Sequence, residues 1–284
     1  MMNVQHFFHE GTSTLSYVAH DDTTAIVIDP VRDYSASSGR TSWESCESIA
    51  EYLRNNHLRV PYVVDTHTHA DHMTGLPYFK EHFGAETVTG ARTGEVQDRF
   101  RDFYNLGPDF PIDGEQFDVL VEEGDRLEVG SFEIQSMHTP GHTPAHMSWL
   151  IGNCVFLGDT LFMPDYGSAR CDFPGGSSDE LFDSIQRLYA LPEETQLYVC
   201  HDYRPGGREL AFQTTVAEQK RHNVQISERT TREEYVAFRT KKDATLPAPA
   251  LILPSIQVNI RAGNLPPPQS NGRTYLSIPL NTLY

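Results

Sequence analysis

An apolar run at residues 60–64 leads into Thr66-His67-Thr68-His69-Ala70-Asp71-His72, and no other feature limits the possible folds of this chain as tightly. A lone histidine in such a place reads as a hydrogen-bonded or exposed polar side chain. Three imidazoles and a carboxylate crowded behind one strand read as groups that surround cations. Imidazole suits zinc and iron, and the carboxylate adds charge neutralisation.

The same arrangement recurs downstream. His138-Thr139-Pro140-Gly141-His142-Thr143 follows an apolar stretch at 132–136, Gly158-Asp159-Thr160 follows 155–157, and His201-Asp202 follows 197–200. In layered α/β folds, ligands gather where strand-end loops converge. Gly141 and Gly158 let the backbone turn sharply beside a ligand.

Between these loops the patterning is globular. Strands are expected at 13–19 and 25–28, the second stopped by Asp29-Pro30. Cys46, Ile49, Ala50 and Leu53 have helical spacing, which predicts a helix over 42–56 capped by Thr41 or Ser42. Further helices are expected at 75–82, 179–189 and 210–223. Hairpins are expected at 125–135 and at 147–157 around Gly152-Asn153, and a strand at 196–200. Hairpins mixed with helices fit an α/β fold, a layered αββα sandwich of two mixed sheets flanked by helices, better than a doubly wound parallel sheet. Residues 1–240 are read as the catalytic domain. Residues 241–284, dense in proline, are read as an extension packed on that same domain.

The net charge of −17 argues against a nucleic-acid partner, because phosphate contacts need a basic surface. No stretch approaches about 18 apolar residues, so no membrane span is expected. The N-terminus lacks the basic and apolar regions of a secretory signal. Four scattered cysteines without a CxxC pair fit reduced thiols and a cytoplasmic setting.

Together HTHADH, TPGHT, GDT and the late His201 resemble the metallo-β-lactamase superfamily over about residues 5–263. The TPGHT form points to its glyoxalase II branch. Within that branch, Arg170-Cys171-Asp172-Phe173-Pro174-Gly175-Gly176, His201-Asp202-Tyr203 and Asn259-Ile260-Arg261 resemble segments of the persulfide dioxygenases. The resemblance implies one Fe(II) held by His67, His142 and Asp159. Two imidazoles and a carboxylate on one face form the facial triad of non-haem iron oxygenases. His69, Asp71, His72 and His201 are then either groups that orient those ligands by hydrogen bonds or the ligands of a second metal.

The implied reaction oxidises glutathione persulfide, or a related small persulfide, with O2 to sulfite and free thiol. Asp71 and Tyr203 are the candidate catalytic groups, and Arg170, Asp172, Phe173 and Tyr203 the candidate substrate contacts. Arg170 serves equally as a loop-closing partner of Asp172. Arg204, Arg208, Lys220 and Arg221 are further cations near His201. The alternative is a glyoxalase-II-like thioester hydrolase with two metals, where zinc is the expected ion; zinc also substitutes for iron during purification. A minor alternative is a sulfur carrier or redox sensor with Cys171 as the working thiol. Eukaryotic persulfide dioxygenases often carry a cysteine where this chain has Ala262. The resemblance also implies a homodimer.

Overall fold

The computed structural model describes residues 2–282. Two six-stranded sheets face each other. The first runs β1 (Asn3–His9), β2 (Thr14–His20), β3 (Thr24–Ile28), β6 (Arg59–Val64), β8 (Glu86–Gly90) and β9 (Val119–Val121). β1 to β3 pair antiparallel, and β3, β6, β8 and β9 pair parallel. The second runs β10 (Arg126–Val129), β11 (Phe132–His138), β12 (Met147–Ile151), β13 (Cys154–Phe156), β14 (Gln196–Tyr198) and β15 (Gln213–Thr215), antiparallel except for β13 against β14. A small sheet of β4 (Val31–Ser35), β5 (Arg40–Ser42) and β7 (Met73–Thr74) sits beside them.

Strand alternation explains the layering. Tyr17, Ala19, Ile26 and Ile28 point into the inter-sheet core with Trp149 and Phe156. Their neighbours Val18, Ala25 and Val27 point outward, against α1 (Glu44–Asn55) and α2 (Leu76–Phe83). The first sheet is therefore buried on both faces. On the other side, α4 (Ser178–Tyr189) packs Leu181, Ile185 and Leu188 into the same continuous cluster as the second sheet. Each such side chain contributes about 1.5–3 kcal/mol by leaving water. The result is the expected αββα sandwich of mixed sheets.

Two local expectations are corrected. The predicted helix over 210–223 begins only at Val216, giving α5 (Val216–His222). Residues 213–215 pair with β14 instead, and Thr215 caps the helix by accepting the Glu218 amide at 3.1 Å. Nor do Thr41 or Ser42 cap α1. Trp43 occupies the cap position, and the Ser45 amide donates to Asp33 at 2.9 Å.

Three helices lacked a clear signal in the sequence: α3 (Thr93–Phe103), α6 (Arg232–Asp243) and α7 (Ile252–Asn259). α6 runs across the 240/241 boundary. α7 buries Ile252 and Ile256 against Val96 and Phe100 of α3. Among the described residues, no helix is long and apolar enough to cross a membrane.

All four ligand-bearing loops leave the ends of β6, β11, β13 and β14 on one side of the sandwich. Main-chain bonds join the two sheets there. The Met147 amide donates to the Thr66 carbonyl at 2.8 Å, and the Leu15 amide to the Cys200 carbonyl at 2.7 Å.

Candidate metal centre

The centre is organised by bonds that fix which nitrogen of each imidazole carries a proton. Asp29 ends β3 with a left-handed φ of 49°. It accepts the Thr66 amide at 2.7 Å and the Thr66 hydroxyl at 2.9 Å. That hydroxyl has one proton and has given it to Asp29. It therefore accepts from His67 Nδ1, also at 2.9 Å, and leaves His67 Nε2 with a bare lone pair.

The other histidines follow the same logic. His69 Nε2 donates to Asp29 at 3.1 Å, which leaves Nδ1 as the nitrogen facing the centre; burial opposes charge on this ring, but Asp29 outweighs it and raises the group to about 9. His72 Nδ1 donates to Asp71 at 3.1 Å. His142 Nδ1 donates to the Arg170 carbonyl at 2.8 Å, and His201 Nδ1 to the Ser13 carbonyl at 3.3 Å. Pinning one imidazole nitrogen to a fixed oxygen sets the tautomer and aims the other at a metal.

The bare atoms converge. His67, His142 and Asp159 bring ligand atoms within 4.8 Å of one another, as do His69, Asp71 and His72. Asp159 joins the two sets. One of its oxygens lies 3.6 Å from His142 Nε2, the other 3.3 Å from His201 Nε2. His201 Nε2 is also 3.4 Å from Asp71. His67 Nε2, His69 Nδ1, His72 Nε2, His201 Nε2 and Asp159 Oδ1 are buried with no hydrogen-bond partner. A buried polar atom left so costs roughly 1–3 kcal/mol. Five such atoms, spread over two adjoining sets, fit a metal centre.

Electrostatics keep two of these imidazoles neutral. Burial and the neighbouring imidazoles hold His67 well below the usual histidine range, in the neutral form that ligates. Burial and His69 push His72 down to about 4. Burial opposes charge on His201 as well, but Asp159 and Asp71 outweigh it and raise the group, so the carboxylates favour positive charge at the junction.

A cleft of about 280 Å³ opens onto Asp71, His142 and Asp159, with Arg170 and Tyr203 on its walls. The Tyr203 ring stacks on His201, 5.7 Å between centroids. Arg170 reaches both oxygens of Asp172 at 2.6 Å and the Pro247 carbonyl at 2.8 Å. Asp172 and Phe173 do not line the cleft. Asp172 clamps Arg170, and Phe173 is buried against Phe100 with its ring 6.0 Å from His142. Cys171 is buried, and burial pushes its thiol well above the usual range, against a working thiolate. The cations near His201 turn to carboxylates: Arg204 to Glu10, Arg208 to Asp165 and Asp202, Lys220 and Arg221 to Glu193.

Several functional residues carried no local signal of their role, Asn259 being marked only by the family resemblance of Asn259-Ile260-Arg261. Asp29 read only as a strand stop. Asn259 donates to the carbonyls of His69 and His72, each at 2.8 Å, and accepts the Thr74 amide at 2.9 Å, bracing the whole HTHADH loop from α7. His146 stacks on His67 at 4.9 Å. A second lobe of about 290 Å³ shares Asp159, Arg170 and Tyr203 with the cleft and carries Lys242. Among the described residues, no carboxylate lies within 4.0 Å of the Lys242 ammonium, which sits 5.8 Å over the Tyr166 ring.

Comparisons with known proteins show the family and its fold. The metallo-β-lactamase superfamily pattern covers residues 9–201. Glyoxylase B2 of Dictyostelium discoideum is 47% identical, over 96% of this chain and 94% of that protein. The mitochondrial persulfide dioxygenase ETHE1 of Bos taurus is 27% identical, over 93% and 90%. The crystal structure of ETHE1 from Myxococcus xanthus aligns with a TM-score of 0.74 at 30% identity, covering 92% of this chain and all of that one. The family pattern, the relatives and the sandwich agree, and the chain belongs to the metallo-β-lactamase superfamily.

Proposed function

We propose that this chain is a persulfide dioxygenase that binds one Fe(II) at His67, His142 and Asp159 and oxidises glutathione persulfide, or a similar small persulfide, to sulfite and free thiol. The observation that carries this reading is the open side of that triad. His142 and Asp159 face the cleft, while His67 closes the set from behind, 1% exposed. Fe(II) held by these three residues would supply the redox chemistry that joins persulfide sulfur and O2. The chain supplies the rest. Arg170 and Asp172 hold the loop that orients His142. Asp71 and Tyr203 stand on the cleft wall beside the reacting atoms. Lys242 offers a charge to a substrate carboxylate. The likeness to the two ETHE1 proteins supports the same reading.

One observation favours thioester hydrolysis at two metals instead. His72 Nε2 and His201 Nε2 are as bare as His67 Nε2, and the relative of higher identity is named a glyoxylase. Oxygen uptake decides between them. The anaerobically purified, Fe(II)-loaded protein is expected to consume O2 with glutathione persulfide, form sulfite and hold about one iron per chain. His142→Ala should lose both iron and uptake, whereas His72→Ala should keep the iron. No uptake, about two metals per chain and fast lactoylglutathione hydrolysis would move the assignment to the hydrolase.

A further inference from the structure

A line of hydroxyls leaves the centre toward the edge of β1. Thr14 Oγ1 donates to Asp71 Oδ2 at 3.3 Å and lies 2.7 Å from Thr12 Oγ1. Thr12 Oγ1 lies 2.7 Å from His9 Nδ1. His9 Nε2 is 3.5 Å from Asp33. Burial falls along the line. Thr14 is fully buried, whereas the His9 and Asp33 side chains are 22% and 21% exposed. Each hydroxyl is both donor and acceptor, and imidazole can take a proton on one nitrogen while releasing one from the other.

The reaction needs such an outlet. For a persulfide, RSSH + O2 + H2O gives RSH + SO3(2−) + 2 H+. Thioester hydrolysis also makes acid, since water and RCO–SR′ give RSH-type thiol, carboxylate and a proton. Thr12 lines the cleft, so bulk water reaches the line directly only while the cleft is empty. With substrate or product in place, the route to solvent runs through His9.

We propose that Thr14, Thr12 and His9 form a relay that carries protons from the centre to solvent. When Asp71 takes up a proton, its Oδ2–H donates to Thr14 Oγ1, whose hydroxyl turns from Asp71 to donate to Thr12 Oγ1 and passes its proton there. The Thr12 proton passes to His9 Nδ1, and His9 gives one up from Nε2 toward Asp33 or water. Every atom gains one proton and loses one. No redox partner is involved.

This rests on the proposed function only in that acid is made at the centre, which both reactions do. A parent enzyme that hydrolyses thioesters and leaves persulfides alone would overturn the dioxygenase assignment, and the relay would be tested in that reaction. The experiment measures kcat and KM of the metal-loaded parent, His9→Gln, Thr12→Val and Thr12→Ser at low buffer concentration, then with added imidazole. His9→Gln and Thr12→Val are expected to lose about tenfold or more in kcat with KM unchanged. Imidazole should restore His9→Gln, and Thr12→Ser should match the parent. Parental kcat in His9→Gln and Thr12→Val overturns the relay. So does a loss that imidazole leaves untouched while KM rises or metal content falls, which marks a purely structural role.

Discussion

His142 Nδ1 donates to the main-chain carbonyl of Arg170 at 2.8 Å. A carbonyl only accepts, so this one bond decides that Nε2, 3.6 Å from Asp159, carries the lone pair. The aim of a ligand is thus set by the backbone of a different loop, and that loop is held by the side chain of the same Arg170 on Asp172 and Pro247.

Removing the clamp should therefore loosen the metal without touching a ligand. Asp172→Ala is expected to weaken metal binding about 10–100-fold, the usual cost of losing a group that orients a ligand. The side chain is about one-fifth exposed, so the change in melting temperature should be small. Chelator competition reads the affinity, and circular dichroism the fold. Parental affinity would mean the loop is rigid without its ion pair.

Lys242 should act on substrate affinity alone. It is a cation in the second lobe without a carboxylate partner among the described residues, and burial pushes its pKa below the lysine value. Lys242→Met is expected to raise KM for glutathione persulfide about tenfold, near the 1.5–3 kcal/mol of a charged hydrogen bond, with kcat little changed. A small uncharged persulfide should be processed equally by both proteins. Steady-state kinetics with the two substrates makes the comparison. Equal KM rises for both would assign Lys242 to packing.

The centre was legible where its chemistry lies next to a strand end. His67, His142, Asp159 and His201 announce themselves because an apolar run stops and a ligand follows. The bracing role of their partners had no local signal, even where the family resemblance marked the residue, because the partners come from far along the chain. Asn259 reaches the His72 carbonyl across 187 positions, and Asp29 reaches His69 across 40. No local periodicity encodes such pairs. The misplaced helix at 210–223 is the opposite case: local spacing suggested helix, and pairing of residues 213–215 with β14 overrode it.

Asp21 offers a test of stability well away from the centre. It accepts the amides of Thr23 and Thr24 at 2.8 Å each and that of Ser131 at 2.7 Å, linking the β2–β3 turn to the β10–β11 turn. These bonds hold its pKa well below the usual carboxylate value. A depressed native pKa stabilises the fold above the unfolded value, about 3.9, and the benefit fades as pH falls toward the native value. Asp21→Asn should therefore melt below the parent at pH 7, and the gap should narrow steadily from about pH 5 downward. Thermal melts across that range test this. A gap independent of pH would show that the carboxylate charge contributes nothing.

Gly158 precedes the bridging Asp159, and two glycines separate the reasons it is glycine. Gly158 has φ +52°, and a Cβ there would lie 2.5 Å from His146 Nε2 and 2.6 Å from Thr66 Oγ1. Gly152 has nearly the same φ, +57°, with nothing within 4 Å of a Cβ. Gly152→Ala therefore reports left-handed strain alone, about 1–2 kcal/mol. Gly158→Ala adds a collision with two buried groups, one of which, Thr66, orients His67. It should destabilise by more than the Gly152 variant, by a further ~1–3 kcal/mol as in other overpacked cores, and should also lower metal content. Denaturant melts and metal analysis of both variants give the two numbers. If the two variants lose the same stability and Gly158→Ala keeps its metal, the Thr66–His67 contact has room to yield, and the tight approach at Gly158 plays no part in aiming the ligand.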